Sequence, residues 1–285
     1  MYPEYPFQKN FITINGHHFH YIDEGEGPVV VMSHGNPTWS YYYRRLISLL
    51  KKTHRVIVPD HLGCGLSDKP QGFSYTLANH IEHLNGLLDH LEVERYSLVV
   101  HDWGGPIGLG CAVQHPGRIE KIMILNTAAF RSARIPLRIR VCRWPVVGRL
   151  IVKGLNGFCR PATVMAVEQP LAKEVKDAYL APYDTWRNRV AIHAFVADIP
   201  LSSSHSSYKT LRTVENGLVR LRQQKIPMKV IWGAKDFCFN TAFYHEWKQR
   251  FPGAEFHYLK DCGHYVLEDG WDRIKPLAQR FFVNR

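Results

Sequence analysis

Val99-Val100-His101-Asp102-Trp103-Gly104-Gly105-Pro106 decides the reading of this chain. An apolar run ends at His101, and the small residues after Trp103 lead directly into the helix-like Ile107-Gly108-Leu109-Gly110-Cys111-Ala112. A strand that turns sharply into a helix exposes the side chain at its tip above the sheet, small residues let the helix pack close, and the first helical N–H group faces any oxyanion formed there. The tip here is Asp102. A carboxylate is ionised at neutral pH, so it attacks carbon without a base to activate it and leaves an ester as covalent product. Alone, the stretch fits equally an Asp that merely caps a helix.

Outward from this turn the chain repeats one rhythm. Short Val- and Ile-rich runs, each followed by a Gly-, Pro- or Asp-rich loop and a longer helix-like stretch, fill the first 130 residues. Pro28-Val29-Val30-Val31-Met32, Arg55-Val56-Ile57-Val58, Tyr96-Ser97-Leu98-Val99-Val100 and Lys121-Ile122-Met123-Ile124-Leu125 are apolar without alternation, as parallel strands buried on both faces are. Phe11-Ile12-Thr13-Ile14 and Phe19-His20-Tyr21-Ile22, joined at Asn15-Gly16, predict an edge hairpin. The rhythm resumes near residue 217 with Met228-Lys229-Val230-Ile231-Trp232 and Glu255-Phe256-His257-Tyr258-Leu259, and closes on a helix over 270–280. Between 131 and 213 the sequence is helical in character, Arg-rich and broken by Pro, with no buried strand. The expected fold class is α/β, an eight-stranded, mostly parallel sheet flanked by helices. Its core is 1–130 plus 214–285, and 131–213 is an inserted helical cap.

The 285 residues are 45% hydrophobic and 21% charged, which argues for a globular unit and against disorder, collagen or coiled coil. Lys and Arg total 36 against 25 Asp and Glu, a formal +11 that attracts anions and says nothing of fold. No apolar run reaches the roughly 18 residues of a spanning helix, and Met1-Tyr2-Pro3-Glu4-Tyr5 lacks the regions of a signal peptide, so a cytoplasmic location is expected. Six cysteines, at 64, 111, 142, 159, 238 and 262, include no C-x-x-C pair and no His spacing for a tetrahedral site; reduced thiols and no metal are expected. No recognition motif accompanies the positive charge, so nucleic acid is not expected as a partner.

Other strand ends carry the remaining chemistry. Ser33-His34-Gly35-Asn36-Pro37-Thr38-Trp39 follows the strand at 28–32, where this architecture places a second oxyanion donor, and Asp60-His61-Leu62-Gly63-Cys64-Gly65-Leu66-Ser67-Asp68 follows the next strand. Gly233-Ala234-Lys235-Asp236 and Asp261-Cys262-Gly263-His264 lie after the last two strands. The chain order is therefore nucleophile, acid, base, all at carboxyl ends of strands, as in the α/β-hydrolases. His34 and His101 flank these motifs as hydrogen-bonding supports, while His17, His18 and His20 lie in the edge hairpin and suggest no metal site.

With these motifs in order and spacing, the chain resembles the haloalkane dehalogenase group of the α/β-hydrolases over both core segments. The resemblance implies Asp102 as nucleophile, His264 as base, Asp236 as its acidic partner, and Asn36 with Trp103 as the donors that hold a departing halide. Some members place the acid after the sixth strand; here that position reads Leu125-Asn126-Thr127-Ala128, without a carboxylate, and Asp236 serves instead. Asn36 together with Asp236 resembles the third dehalogenase subfamily, whose members are also similar to the β-lactone decarboxylases of bacterial long-chain olefin synthesis.

Three reactions follow from the resemblance. In a dehalogenase, Asp102 displaces halide from carbon, and His264 then deprotonates the water that hydrolyses the ester, giving alcohol and a halide ion. In a β-lactone decarboxylase the same carboxylate attacks a strained ring and carbon dioxide is lost. An epoxide hydrolase would need cap tyrosines to protonate the opening ring, with Tyr179, Tyr183 and Tyr208 as candidates by location. None needs a cofactor, and the first two favour a hydrophobic small-molecule substrate.

Residues 131–160 contain Arg131, Arg134, Arg138, Arg140, Arg143, Arg149, Lys153 and Arg160 with no acidic residue, interleaved with Leu137, Ile139, Trp144, Val146 and Leu150. Such a segment suits either an anionic membrane surface, an acidic protein partner or self-association, or the solvated face of an apolar cap.

Overall fold

The structure, a computed structural model, describes residues 2–283. Eight strands form one sheet: β1 Asn10–Ile14, β2 His17–Glu24, β3 Val29–Ser33, β4 Arg55–Pro59, β5 Tyr96–His101, β6 Ile119–Leu125, β7 Met228–Gly233 and β8 Glu255–Leu259. Their spatial order is β1-β2-β4-β3-β5-β6-β7-β8. β1 pairs with β2, and β2 with β4, antiparallel; every other neighbour is parallel. The composition of each strand matches its place. β5 and β7 are buried at every residue and read as continuous apolar runs, whereas β1 alternates between exposed and half-buried, as a strand at the edge does.

Helices α1 Arg44–Leu50, α2 Leu77–His90 and α3 Gly104–Gln114 lie in the first part of the core, and α10 Thr241–Arg250, α11 Val266–Asp269 and α12 Trp271–Val283 in the last. Only Gln114 of α3 escapes burial. This close fit depends on Gly104, where a Cβ would come 1.8 Å from the Ser33 carbonyl oxygen. Between β6 and β7 the chain forms α4 Leu137–Cys142, α5 Val147–Arg149, α6 Cys159–Met165, α7 Lys173–Leu180, α8 Val190–Ala197 and α9 Tyr208–Gln223, and no strand. The boundary expected at 213/214 falls inside α9, because Leu211, Val214, Leu218 and Leu221 form one buried stripe along a single helix that packs on α3. All six cysteines are free, and no described helix is long and apolar enough to cross a membrane.

Two buried polar clusters tie distant segments together. Asp60 accepts from Ser40 N (2.7 Å), Leu66 N (2.8 Å) and His20 Nδ1 (2.8 Å), which fixes the loop after β4 against the hairpin. The 60–68 motif is thus structural, and His20 has a role that its place in the hairpin concealed. Arg44, almost wholly buried, forms a two-pronged pair with Glu268 at 2.5 and 2.9 Å, and the Tyr179 hydroxyl of α7 donates to the same carboxylate.

Candidate active site

β5, β6 and β7 end level with one another, with His101 opposite Leu125 and Leu125 opposite Ile231. The loops that follow therefore meet over the carboxyl ends of the strands. Asp102 is the tip of the turn between β5 and α3, with φ of +51°, in the left-handed region that an L side chain enters only under constraint. Its backbone is pinned on both sides: Asp102 N donates to Asn126 O at 3.2 Å, and Asp102 O accepts from Gly105 N at 2.9 Å and from the Thr127 hydroxyl. Gly35 is the complementary surface, since a Cβ there would stand 2.2 Å from Asp102 Cβ. The Asp102 carboxylate accepts from Asn36 N at 2.6 Å and from the backbone N–H of Trp103. Asn36 and Trp103, the two residues expected to supply donors, thus approach the carboxylate through their backbone N–H groups.

His264 lies between β8 and α11. Its Nδ1 is 2.7 Å from Asp236 Oδ2 and its Nε2 is 3.7 Å from Asp102 Oδ2. Asp236 is held with unusual completeness: Oδ2 also accepts from Asn126 Nδ2 at 2.9 Å, and Oδ1 accepts from Cys238 N at 2.6 Å and Phe239 N at 3.0 Å. The Phe239 ring stacks on the imidazole at 5.8 Å between centroids. Burial pushes the Asp102 carboxyl above the usual carboxylate range, against the opposing pull of His264 and the two N–H donors. Burial alone would lower His264, but the carboxylates of Asp236 and Asp102 outweigh it and hold the imidazole above its ordinary value. Two carboxylates flanking one imidazole account for that direction.

Asn126 is the residue that sequence reasoning missed. It follows β6 directly, at φ of +31°. Besides steadying Asp236, its Nδ2 donates to Gly233 O at 3.0 Å and its Oδ1 accepts from Gly233 N at 2.8 Å, so it welds the end of β6 to the end of β7. An Asn directly after a buried parallel strand was the available signal. His101 and His34 act as supports: burial drives both pKa values down, His101 Nε2–H donates to His264 O at 2.9 Å, and His34 Nδ1–H donates to Gly35 O at 2.7 Å.

Asp102, His264, Asn36 and Trp103 all line one cavity of about 510 Å³, and its other walls are predominantly apolar, among them Ile139, Phe158, Val196, Leu211 and Phe243. The indole N–H of Trp103 has no acceptor among the described residues. Asn36 Nδ2 donates to Ile192 O at 3.2 Å, so the side-chain amide is half engaged with α8, and its Oδ1 is buried without a partner. None of Tyr179, Tyr183 and Tyr208 borders the cavity: Tyr179 is spent on Glu268, Tyr183 on Thr38 O and Gly65 N, and Tyr208 on Arg131. No group of three or more His, Cys, Asp or Glu among the described residues is arranged to hold a metal ion.

Strand order, elbow and strand-end residues define an α/β-hydrolase, and the alpha/beta hydrolase fold family matches residues 28–144. The chain is 46% identical over 285 residues to the cis-3-alkyl-4-alkyloxetan-2-one decarboxylase of Shewanella oneidensis, covering 98% of this chain and 89% of that protein. It is 30% identical over 287 residues to haloalkane dehalogenase 2 of Mycobacterium bovis, covering 97% and 96%. A mutant of the haloalkane dehalogenase DatA from Agrobacterium tumefaciens C58 superposes with a TM-score of 0.88 at 25% identity, covering 97% of each chain. Within the α/β-hydrolases, the chain belongs to the group that contains these dehalogenases and decarboxylases.

Proposed function

We propose that this protein is a β-lactone decarboxylase, converting a cis-3,4-dialkyloxetan-2-one to an olefin and carbon dioxide, with Asp102 as nucleophile. The observation that carries this reading is the 46% identity, over nearly the whole chain, to a protein named for that substrate. A carboxylate at the floor of an apolar cavity supports it.

Asp102 Oδ2 attacks ring carbon 4 in line, the bond from that carbon to the ring oxygen breaks, and the ring carbonyl leaves as a carboxylate that stays attached to carbon 3. His264, held above its ordinary pKa, supplies hydrogen-bonding positive charge to the departing carboxylate. The bond from carbon 3 to the carboxylate then breaks, its electron pair forms the double bond, and the Asp102 ester oxygen departs. Carbon dioxide is released and Asp102 regains its charge with no water consumed. Inversion at carbon 4 followed by anti elimination turns a cis ring into a cis olefin. Segment 131–213 acts as the cap, excluding water and lining the chain-binding cavity.

A second reading, haloalkane dehalogenase, rests on Trp103, which lines the cavity and whose indole N–H has no acceptor among the described residues. There Trp103 and the free N–H of Asn36 hold the halide, and His264, with its tautomer fixed by Asp236, deprotonates a water that attacks the Asp102 ester. The epoxide hydrolase reading lacks its tyrosines. The test is to give the purified protein a synthetic cis-3,4-dialkyloxetan-2-one and, separately, 1-bromohexane, and to measure olefin and bromide. Olefin formation that is abolished by Asp102→Ala is the expected result; bromide release without olefin selects the second reading.

A further inference from the structure

The segment between β6 and β7 carries most of the large apolar side chains that the described surface exposes. Leu137, Val146 and Leu155 are 75%, 69% and 73% exposed, and Trp144, Leu150 and Val164 are also more than half exposed. Cations stand among them. Arg134, Arg138, Arg140, Arg149 and Arg160 are exposed, and none has a carboxylate partner among the described residues, whereas Arg131 is taken up by Glu215. No acidic residue occurs anywhere in 131–160. The helices that carry most of these side chains adjoin one another, since α4 packs on α5 and Arg138 of α4 reaches Met165 Sδ of α6 at 3.6 Å. The cavity opens through that surface: its lining residues that are solvent-exposed, Arg134, Arg138 and Met165, all lie there.

We infer that this face docks on an anionic lipid bilayer and opens the cavity towards the acyl region. Protruding apolar side chains and a Trp enter the headgroup boundary while the arginines meet lipid phosphates, the arrangement of proteins that lie in the interface. Charge and apolar area act on the same partner there, and each cation near an anionic surface adds to the attraction. A rigid protein seated on this face would cover the mouth, whereas a fluid bilayer leaves it fed. The inference rests on the proposed reaction only in that a dialkyl lactone partitions into lipid; docking itself needs no substrate.

The test is therefore made without substrate. Full-length protein is sedimented with vesicles of phosphatidylglycerol and phosphatidylcholine, and with phosphatidylcholine alone, at low and high salt. Binding to the anionic vesicles that falls steeply with salt is expected, with little on the neutral ones. The exposed-charge variant Arg140→Gln/Arg149→Gln/Arg160→Gln should bind on the order of a hundredfold more weakly. The independent variant Leu137→Ser/Val146→Ser/Leu155→Ser should also bind more weakly while keeping its salt dependence. Trp144→Phe should remove a vesicle-induced blue shift of tryptophan emission. Absence of binding to anionic vesicles, binding unchanged in both triple variants, a blue shift that survives Trp144→Phe, or substitutions that alter only self-association in analytical ultracentrifugation would each overturn the assignment. Failure of olefin formation alone would refute the reaction and leave the docking result standing.

Discussion

Asp236→Asn exchanges one acceptor oxygen for a donor at a position where the structure offers four donors. Keeping the backbone amides of Cys238 and Phe239 on the remaining oxygen, at 2.6 and 3.0 Å, turns the new NH2 towards Asn126 Nδ2 and His264 Nδ1. The Asn126 contact becomes donor against donor, and His264 must accept at Nδ1 and carry its proton on Nε2. A lost charge-assisted hydrogen bond costs about 1.5–3 kcal/mol, so a fall of several degrees in Tm is expected. Loss of the carboxylate that most raises His264 makes the imidazole harder to protonate, and the rate should fall by roughly 10²–10⁴, the usual worth of a positioned acid or base. Olefin release by gas chromatography, with Tm by calorimetry, reads both effects. The double variant Asp236→Asn/Asn126→Asp returns a carboxylate 2.9 Å from the original oxygen and should regain at least part of the loss. A single variant that turns over at the wild-type rate would refute the coupling of Asp236 to His264.

Gly35→Ala sets a methyl 2.2–2.6 Å from Asp102 Cβ, Oδ1 and Cγ, so activity should be lost far more than stability, as activity and Tm measured together would show. His264→Phe should stop dehalogenation after at most one halide per enzyme, leaving an alkyl adduct on Asp102 in intact-protein mass spectrometry, while lactone cleavage slows without trapping an adduct. The folded pKa of His264 lies above its unfolded value near 6.5, so its stabilisation is complete below about pH 6.5 and is lost as pH rises through the folded value; His264→Gln should therefore lower Tm more at pH 6 than at pH 9. Glu268→Gln removes the two-pronged partner of buried Arg44 and leaves it only the half-exposed Glu4 at 3.1 Å, so a loss of about 1.5–3 kcal/mol, the worth of a hydrogen bond to a charged group, is expected in denaturant unfolding.

Much of the site was legible because strand ends announce themselves. Asp102, Asp236 and His264 each follow an apolar run, and parallel register alone brings such positions together. Asn36 and Trp103 were legible as backbone donors for the same reason. The side-chain bond of Asn36 to Ile192 O was not, since it depends on how α8 settles over the sheet. Asn126 escaped because its importance lies in register: only the alignment of Leu125 with Ile231 sets its amide beside Gly233 and Asp236. Arg44 and Glu268 are separated by 224 positions and share no local pattern. That 213/214 lies within a helix was not legible, because α9 keeps one apolar stripe on both sides of that position and nothing in the sequence breaks it.

The most direct test of the account is turnover of a cis-3,4-dialkyloxetan-2-one in H₂¹⁸O, with the products and the Asp102 peptide both examined by mass spectrometry. Elimination from the Asp102 ester predicts cis olefin with no β-hydroxy acid and no ¹⁸O in the Asp102 carboxylate after many turnovers, because no water enters the cycle. Accumulation of β-hydroxy acid, or ¹⁸O in the Asp102 peptide, would mean that water resolves the intermediate and would contradict the decarboxylase mechanism.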